Sequence, residues 1–250
     1  MESAVLIAVA VFAGTIAQYL TGMGFSLVGA PLLVLALGPE QGVALVNLGA
    51  LLFTVVATFF VSKGVDWRLF RDLAIPCAVG SLAGALLVVA VPAAPLQVAI
   101  AGTVIAGLLL ALGAARTPWS PPTWARIPAG FASGAMGSAA GVGGPAVAAY
   151  AVSARIEHSV FAATLQPYFL VAATFAIGAR AVVGAAIIPE LDPALWMTAF
   201  VAAIAGVALS SALRHRVSKR VARQGMIALA LAGAAAALIQ GVVEISGHTS

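Results

Sequence analysis

Gly141-Val142-Gly143-Gly144-Pro145 lies inside an apolar stretch that runs from residue 127 to residue 154. Lipid offers no hydrogen-bond partner to an opened backbone, so such a break persists at membrane depth only where protein covers it or where it lines a cavity. Glycine supplies the backbone angles for a sharp reversal, and Pro145 suits the first turn of a helix that restarts there. The flanking pieces, 127–140 and 145–154, span about 21 and 15 Å at 1.5 Å per residue, against a hydrocarbon core of about 30 Å. The stretch is therefore expected to enter the membrane, turn, and return to the same side as a helical hairpin.

Loop charges agree. With a re-entrant hairpin at 127–154, Lys63, Arg68, Arg71, Arg116, Arg126, Arg155, Arg214, Arg216, Lys219, Arg220 and Arg223 share one face and Arg180 alone lies opposite, eleven bases against one. A single crossing at the same place divides them six against six. Short cytoplasmic loops collect Lys and Arg, which selects the hairpin.

A second break precedes it. Thr21-Gly22-Met23-Gly24-Phe25-Ser26 interrupts the apolar element 4–37, and Gly22 precedes Gly141 by 119 residues. The same offset aligns Gly24 with Gly143 and Asn47 with Gln166. Three matches in one element order indicate an internal repeat. Apolar runs near 41–62, 73–92, 95–115, 159–180, 193–213 and 224–244 have the length of membrane spans. The expected fold is an all-α polytopic membrane protein of two inverted repeats, each a broken re-entrant helical hairpin followed by three transmembrane helices. Its parts are a first repeat over 1–115, a linker over 116–126 rich in Pro and Trp, and a second repeat over 127–250. An odd number of crossings per repeat inverts the halves and puts both termini outside the cytoplasm. For the first element the hairpin is an extension by symmetry, since the charges do not distinguish it from a crossing.

Composition sets the same class. The chain is 62% hydrophobic and 8% charged, with mean hydropathy +1.11, where soluble domains carry about 25% charged residues. The net charge of +4 resides in short loops and reads as a topology signal, not a nucleic-acid surface. Cys77 is the single cysteine, which excludes an intrachain disulfide and a cysteine metal cluster. No cleaved leader is expected, because residues 1–20 carry Glu2 as their one charge and lack a basic segment. The abundance of Ala and Val fits a GC-rich bacterial source, hence a bacterial plasma membrane.

The breaks define the expected site. A returning half-helix presents free N–H groups and a positive dipole end near the membrane interior, a natural anion site. Two such ends facing one another would hold a small anion near the midplane without a buried lysine or arginine. Candidate binding residues are Gln18, Thr21, Gly22, Gly24 and Ser26 in the first half, with Ser26 as a helix cap. Asn47 and, in the second half, Ser138, Gly141, Gly143, Gly144 and Gln166 complete the set. Intramembrane carboxylates mark proton and cation paths; none lies in mid-span, which argues against a metal or sodium exchanger. No catalytic residue, cofactor or metal is expected. Against these readings, Gly80/Gly84, Gly130/Gly134 and Gly137/Gly141 have the spacing of helix-packing glycines, Thr54 suits a bond to its own helix, and Asn47 and Gln166 suit bonds to neighbouring helices. Arg155, Glu157 and His158 read as a topology-fixing loop cluster, and the tryptophans as an interfacial belt.

With these motifs in place, the chain resembles the TauE/SafE sulfite-exporter (TSUP) family of transporters. The likeness rests on size, on the two halves, and on Gly130-Phe131-Ala132-Ser133-Gly134-Ala135-Met136-Gly137-Ser138-Ala139-Ala140-Gly141-Val142-Gly143-Gly144-Pro145. The first half is a degenerate copy, with Gln18 in place of a glycine and Phe25 where a third clustered glycine is common. The resemblance implies a secondary carrier for sulfite, thiosulfate, sulfoacetate or related organic acids, with a small anionic substrate and the lipid bilayer as partners. A coupling proton and a homodimer are compatible with it. The alternatives are an anion channel, a membrane subunit of a larger complex, and an intramembrane serine hydrolase built on Ser133. The last lacks a nearby base in the sequence, as His158, His215 and His248 fall in loops or the tail.

Overall fold

The computed structural model describes residues 2–21, 24–60, 64–114, 121–213 and 219–247. Among these the chain is all helical: α1 (Glu2–Thr21), α2 (Gly24–Phe60), α3 (Trp67–Ala90), α4 (Ala93–Ala114), α5 (Arg126–Ala140), α6 (Gly144–Ser153), α7 (His158–Val182), α8 (Pro193–Leu213) and α9 (Lys219–Gly247), with a 3-10 turn at Thr123–Ala125. The apolar side chains of the outer helices, such as Leu52, Val79, Leu86, Phe200 and Val243, are exposed, as expected of helices solvated by hydrocarbon and apolar all round. Trp67, Trp124 and Trp196, at or near helix starts, are likewise exposed, as an interfacial belt requires; Trp119 lies outside the described residues.

Six described helices are long and apolar enough to cross a membrane: Ser3–Leu20, Gly24–Phe59, Trp67–Ala90, Ser159–Val182, Pro193–Ala212 and Gln224–Ser246. The chain is thus a multi-pass membrane protein. The run expected at 95–115 is helix α4, Ala93–Ala114. Helix α1 is an uninterrupted 20-residue helix, about 30 Å long, and so much longer than the hairpin arm α5.

Chain breaks fall where the backbone demands glycine. Within α2, Gly38 has φ 79° and ψ 169°, a region essentially closed to other residues. It separates the arm 24–37 from the span that begins at Pro39. In α7, Gly184 (φ 76°) ends the helix, with Gly184 N–H donating to Ala181 at 3.2 Å and Ala185 N–H to Arg180 at 2.9 Å. That paired closure is the Schellman arrangement.

The helices group into two compact units, each drawn from both halves of the sequence. One comprises Met1–Val46, Val91–Ile105 and Ile188–Ser250. In it α1 packs against α8 and α9. Gly206 of α8 admits Thr15, whose Cβ comes within 2.8 Å of where a glycine methyl would stand, and Gly233 of α9 admits Leu32 and Pro31. Buried Gln97 of α4 donates to the Ala237 carbonyl at 3.1 Å and to Gln240 at 3.3 Å. The polar amide therefore ties α4 to α9 instead of standing unpaired in lipid.

The other unit comprises Asn47–Ala90 and Ala106–Ile187. Its centre is the contact of α3 with α5, and α7 packs on both. Gly80 and Gly84 of α3 face the carbonyls of Phe131 and Ala135, while Gly130 and Gly134 of α5 face those of Leu73 and Cys77. A Cβ at any of the four would overlap backbone, so small residues bring the two main chains together. The packing reading of Gly80/Gly84 and Gly130/Gly134 is the one the structure adopts. Thr54 likewise bonds its own helix, donating to Ala50 at 2.7 Å.

Candidate functional site

The break at 141–145 forms as a reversal. Gly141 adopts a left-handed conformation (φ 71°) at the end of α5, its N–H donating to Gly137 at 2.9 Å, and Val142 N–H donates to Met136 at 3.3 Å. Helix α6 restarts at Gly144 with Gly143 as its cap residue, Pro145 in its first turn, and no side chain capping it. The returning chain lies directly on the descending arm: a Cβ on Gly143 would stand 2.6 Å from the Ser133 carbonyl and 2.8 Å from Ser133 Oγ. Gly143 is thus obligatory for steric reasons. The start of α6 is flanked by Phe169 of α7, 3.6 Å from a Gly144 Cβ position, and by Gly107 of α4, which accommodates Pro145.

A clasp holds the open end of this hairpin. Arg126, where α5 begins, donates through Nε to Tyr150 of α6 at 3.0 Å and through Nη1 to Asp72 of α3 at 2.8 Å. One guanidinium thereby ties both arms to the neighbouring helix, using the planar fork of donors that lysine lacks. The loop after α6 is closed by Arg155 at φ 52°, where Ile156 N–H reaches Ala151 at 3.1 Å.

At the other end stands a residue whose place differs from the sequence expectation. Arg180 was expected in a loop on the face opposite the other bases, and the anion was expected to be held without any buried arginine. Instead Arg180 occupies the last turn of α7 and is 0% exposed. Its Nε donates to Ala186 at 2.9 Å and its Nη1 to the Ser138 carbonyl at 3.2 Å. The reason is physical: the carboxyl end of α5 leaves carbonyls without helical partners, and a cation is favoured there by the helix dipole. Seen from sequence, a base near the end of an apolar run looks like a loop charge.

Several polar groups of this unit are buried without a hydrogen-bond partner: Asn47 Nδ2, Ser81 Oγ, Ser133 Oγ, Ser138 Oγ, Gln166 Oε1 and Tyr168 Oη. Asn47, Ser138 and Gln166 were expected at the site. Tyr168 belongs to the polar side chains that the sequence offers as a path lining, whereas Ser133 was weighed only as a serine nucleophile. The bonds to neighbouring helices considered for Asn47 and Gln166 are absent at those two atoms. Ser133 Oγ makes no hydrogen bond to a base, the contact a serine nucleophile needs.

In the unit containing α1, the counterpart turn is only partly described, as Gly22 and Met23 lie outside the described residues. Thr21 ends α1. Gly24 abuts the Ala17 backbone, so the chain reverses here too. Gln18 Oε1 accepts the Phe25 N–H at 3.1 Å, which makes Gln18 a cap for the returning arm, the role expected of half-buried Ser26. This helix start already has an acceptor from its own chain, whereas that of α6 has none from a side chain.

No group of three or more His, Cys, Asp or Glu side chains that would hold a metal occurs among the described residues. Comparison with curated proteins gives no match, and neither does comparison with solved structures. The family model described as Sulfite exporter TauE/SafE matches residues 6–238, nearly the whole chain and the entire hairpin. The chain therefore belongs to the TauE/SafE sulfite exporter family, a family of anion transporters.

Proposed function

We propose that this protein is a secondary carrier of small sulfur-containing or carboxylate anions, such as sulfite, thiosulfate or sulfoacetate, in a bacterial plasma membrane with both termini outside the cytoplasm. The observation that carries this reading is the start of α6. It is a helix N-terminus without a side-chain cap, turned back onto α5 inside a membrane protein of an exporter family. Free N–H groups and the dipole attract negative charge at such a place. Gly141, Gly143 and Gly144 shape the tip, while Ser138, Asn47 and Gln166 of the same unit offer polar groups. By the internal repeat, Gly22, Gly24 and the adjoining Thr21 and Ser26 form the counterpart tip of the other unit, with Gln18 as its built-in cap. A proton gradient is the simplest driving force, and the carrier works as a monomer or a homodimer.

The test is efflux from proteoliposomes loaded with radiolabelled sulfite, thiosulfate, acetate or sodium, with and without a proton gradient. Saturable movement of at least one anion supports the carrier. Flux that never saturates identifies a channel, and movement of sodium alone refutes the anion assignment.

A further inference from the structure

Hydroxyls inside the helices of this chain follow a rule with informative exceptions. Thr54, Thr103, Thr164, Thr174, Thr198 and Ser210 each donate to the carbonyl four residues back, at 2.6–2.8 Å. That bond removes the cost of carrying a hydroxyl in an apolar setting. Ser133 breaks the rule although it is 1% exposed, and its Oγ lies beside the cap residue of α6, 2.8 Å from a Gly143 Cβ position. Tyr168, 0% exposed, has Ser133 and Cys77 as polar neighbours, and Cys77 in turn neighbours Ser81. Among these neighbours the oxygens of Ser81, Ser133 and Tyr168 form no hydrogen bond of normal length and angle, only looser polar contacts. A polar seam contributed by α3, α5 and α7 thus converges behind the open helix start. Buried polar groups are nearly always satisfied, so each exception needs an explanation.

Building on the carrier reading, we infer that Ser133 and Tyr168 are substrate-binding residues: their hydroxyls donate to oxygens of an anion seated at the start of α6, which makes this unit selective for multi-oxygen oxyanions. The helix end alone attracts any small anion, because its N–H groups and dipole respond to charge. The Ser133 hydroxyl stands beside that end with Tyr168 next to it, and both are engaged only by a solute with further acceptor atoms. A trigonal or tetrahedral sulfur oxyanion, or a carboxylate, meets that demand; a halide has a single centre.

The experiment measures uptake of radiolabelled sulfite into proteoliposomes as a function of concentration, and its inhibition by chloride. It compares the wild-type chain with Ser133→Ala, Tyr168→Phe and, as a control, Thr174→Val on an exposed helix face. Each binding-site variant removes one oxygen and leaves the carbon skeleton in place; melting temperatures verify the fold, and either variant alone suffices. A hydrogen bond to a charged group contributes enough that its loss raises the half-saturating sulfite concentration about tenfold. The maximal rate falls less, inhibition by chloride is unchanged, and the control behaves as wild type. Wild-type half-saturation in both variants overturns this inference while leaving the carrier intact. A wild-type protein that moves no oxyanion overturns the carrier reading and this inference with it.

Discussion

Arg180 Nη1 donates to the Ser138 carbonyl at 3.2 Å, which puts a fully buried guanidinium against the carboxyl end of the hairpin's first arm. The contact does two things. It satisfies a helix-end carbonyl that lipid could not, and it raises the local positive potential three residues before the Gly141 turn. Replacing Arg180 by Met leaves the Ser138 and Ala186 carbonyls without this donor. Leaving a buried carbonyl without its donor costs about 1–3 kcal/mol. The expected outcome is a lower melting temperature in detergent, with Arg180→Lys intermediate because ammonium keeps the charge but not the fork. Equal melting temperatures for wild type and Arg180→Met would show the contact to be idle.

Gly134 and Gly80 bring α3 and α5 into main-chain contact. Alanine at either position has to push carbonyl-bearing backbone aside, with a cost of about 1–3 kcal/mol or more. Gly102 and Gly178 have no neighbour within 4 Å of a Cβ position. There alanine is expected to be neutral or to stabilise by up to about 1 kcal/mol, through helix propensity alone. Chemical or thermal unfolding of the four single variants checks the opposite signs.

Arg155 adopts φ 52°, a conformation that disfavours residues with a Cβ by about 1–2 kcal/mol. Arg155→Gly is expected to raise the melting temperature while lowering any transport that depends on the charge at the hairpin mouth. A variant less stable than wild type would mean that the arginine side chain contributes more than its backbone costs.

The Arg126 clasp predicts coupling between two substitutions that lie on different helices. Tyr150→Phe and Asp72→Ala each remove one partner of the guanidinium. Because Arg126 and Asp72 retain 17% and 27% side-chain exposure, screening limits each bond to about 0.5–1 kcal/mol. In a double-mutant cycle with Arg126→Ala, both pairs are expected to show non-additive stability. Strict additivity would assign the clasp no energetic role.

What the sequence revealed, and what it hid, follows from the kind of information each feature carries. The hairpin at 127–154 was legible because glycine, proline, segment length and loop charge constrain the same few residues independently. The packing of Gly80, Gly84, Gly130 and Gly134 was legible because helical spacing puts small residues on one face. Arg180 was not, since its burial depends on where the end of α5 arrives in space. Ser133 escaped for another reason: a helical serine hydroxyl normally satisfies itself locally, and only coordinates show which ones fail to do so. Gln18 was expected to meet the substrate, but its amide reaches the Phe25 N–H seven residues on, a distance outside the usual capping patterns. The six-against-six and eleven-against-one counts treated Arg180 as a loop base.

The central claim is that the start of α6 receives the anion, and Gly144 allows the most direct measurement of it. A Cβ there meets only Phe169, at an ordinary 3.6 Å, so substitution at this position does not start from a backbone overlap. Saturation binding of radiolabelled sulfite to purified wild-type and Gly144→Leu protein, with melting temperatures recorded in parallel, tests it. The account predicts saturable binding by the wild type, and a loss of about tenfold or more in affinity for a folded Gly144→Leu variant. Unchanged sulfite affinity in that variant would contradict it.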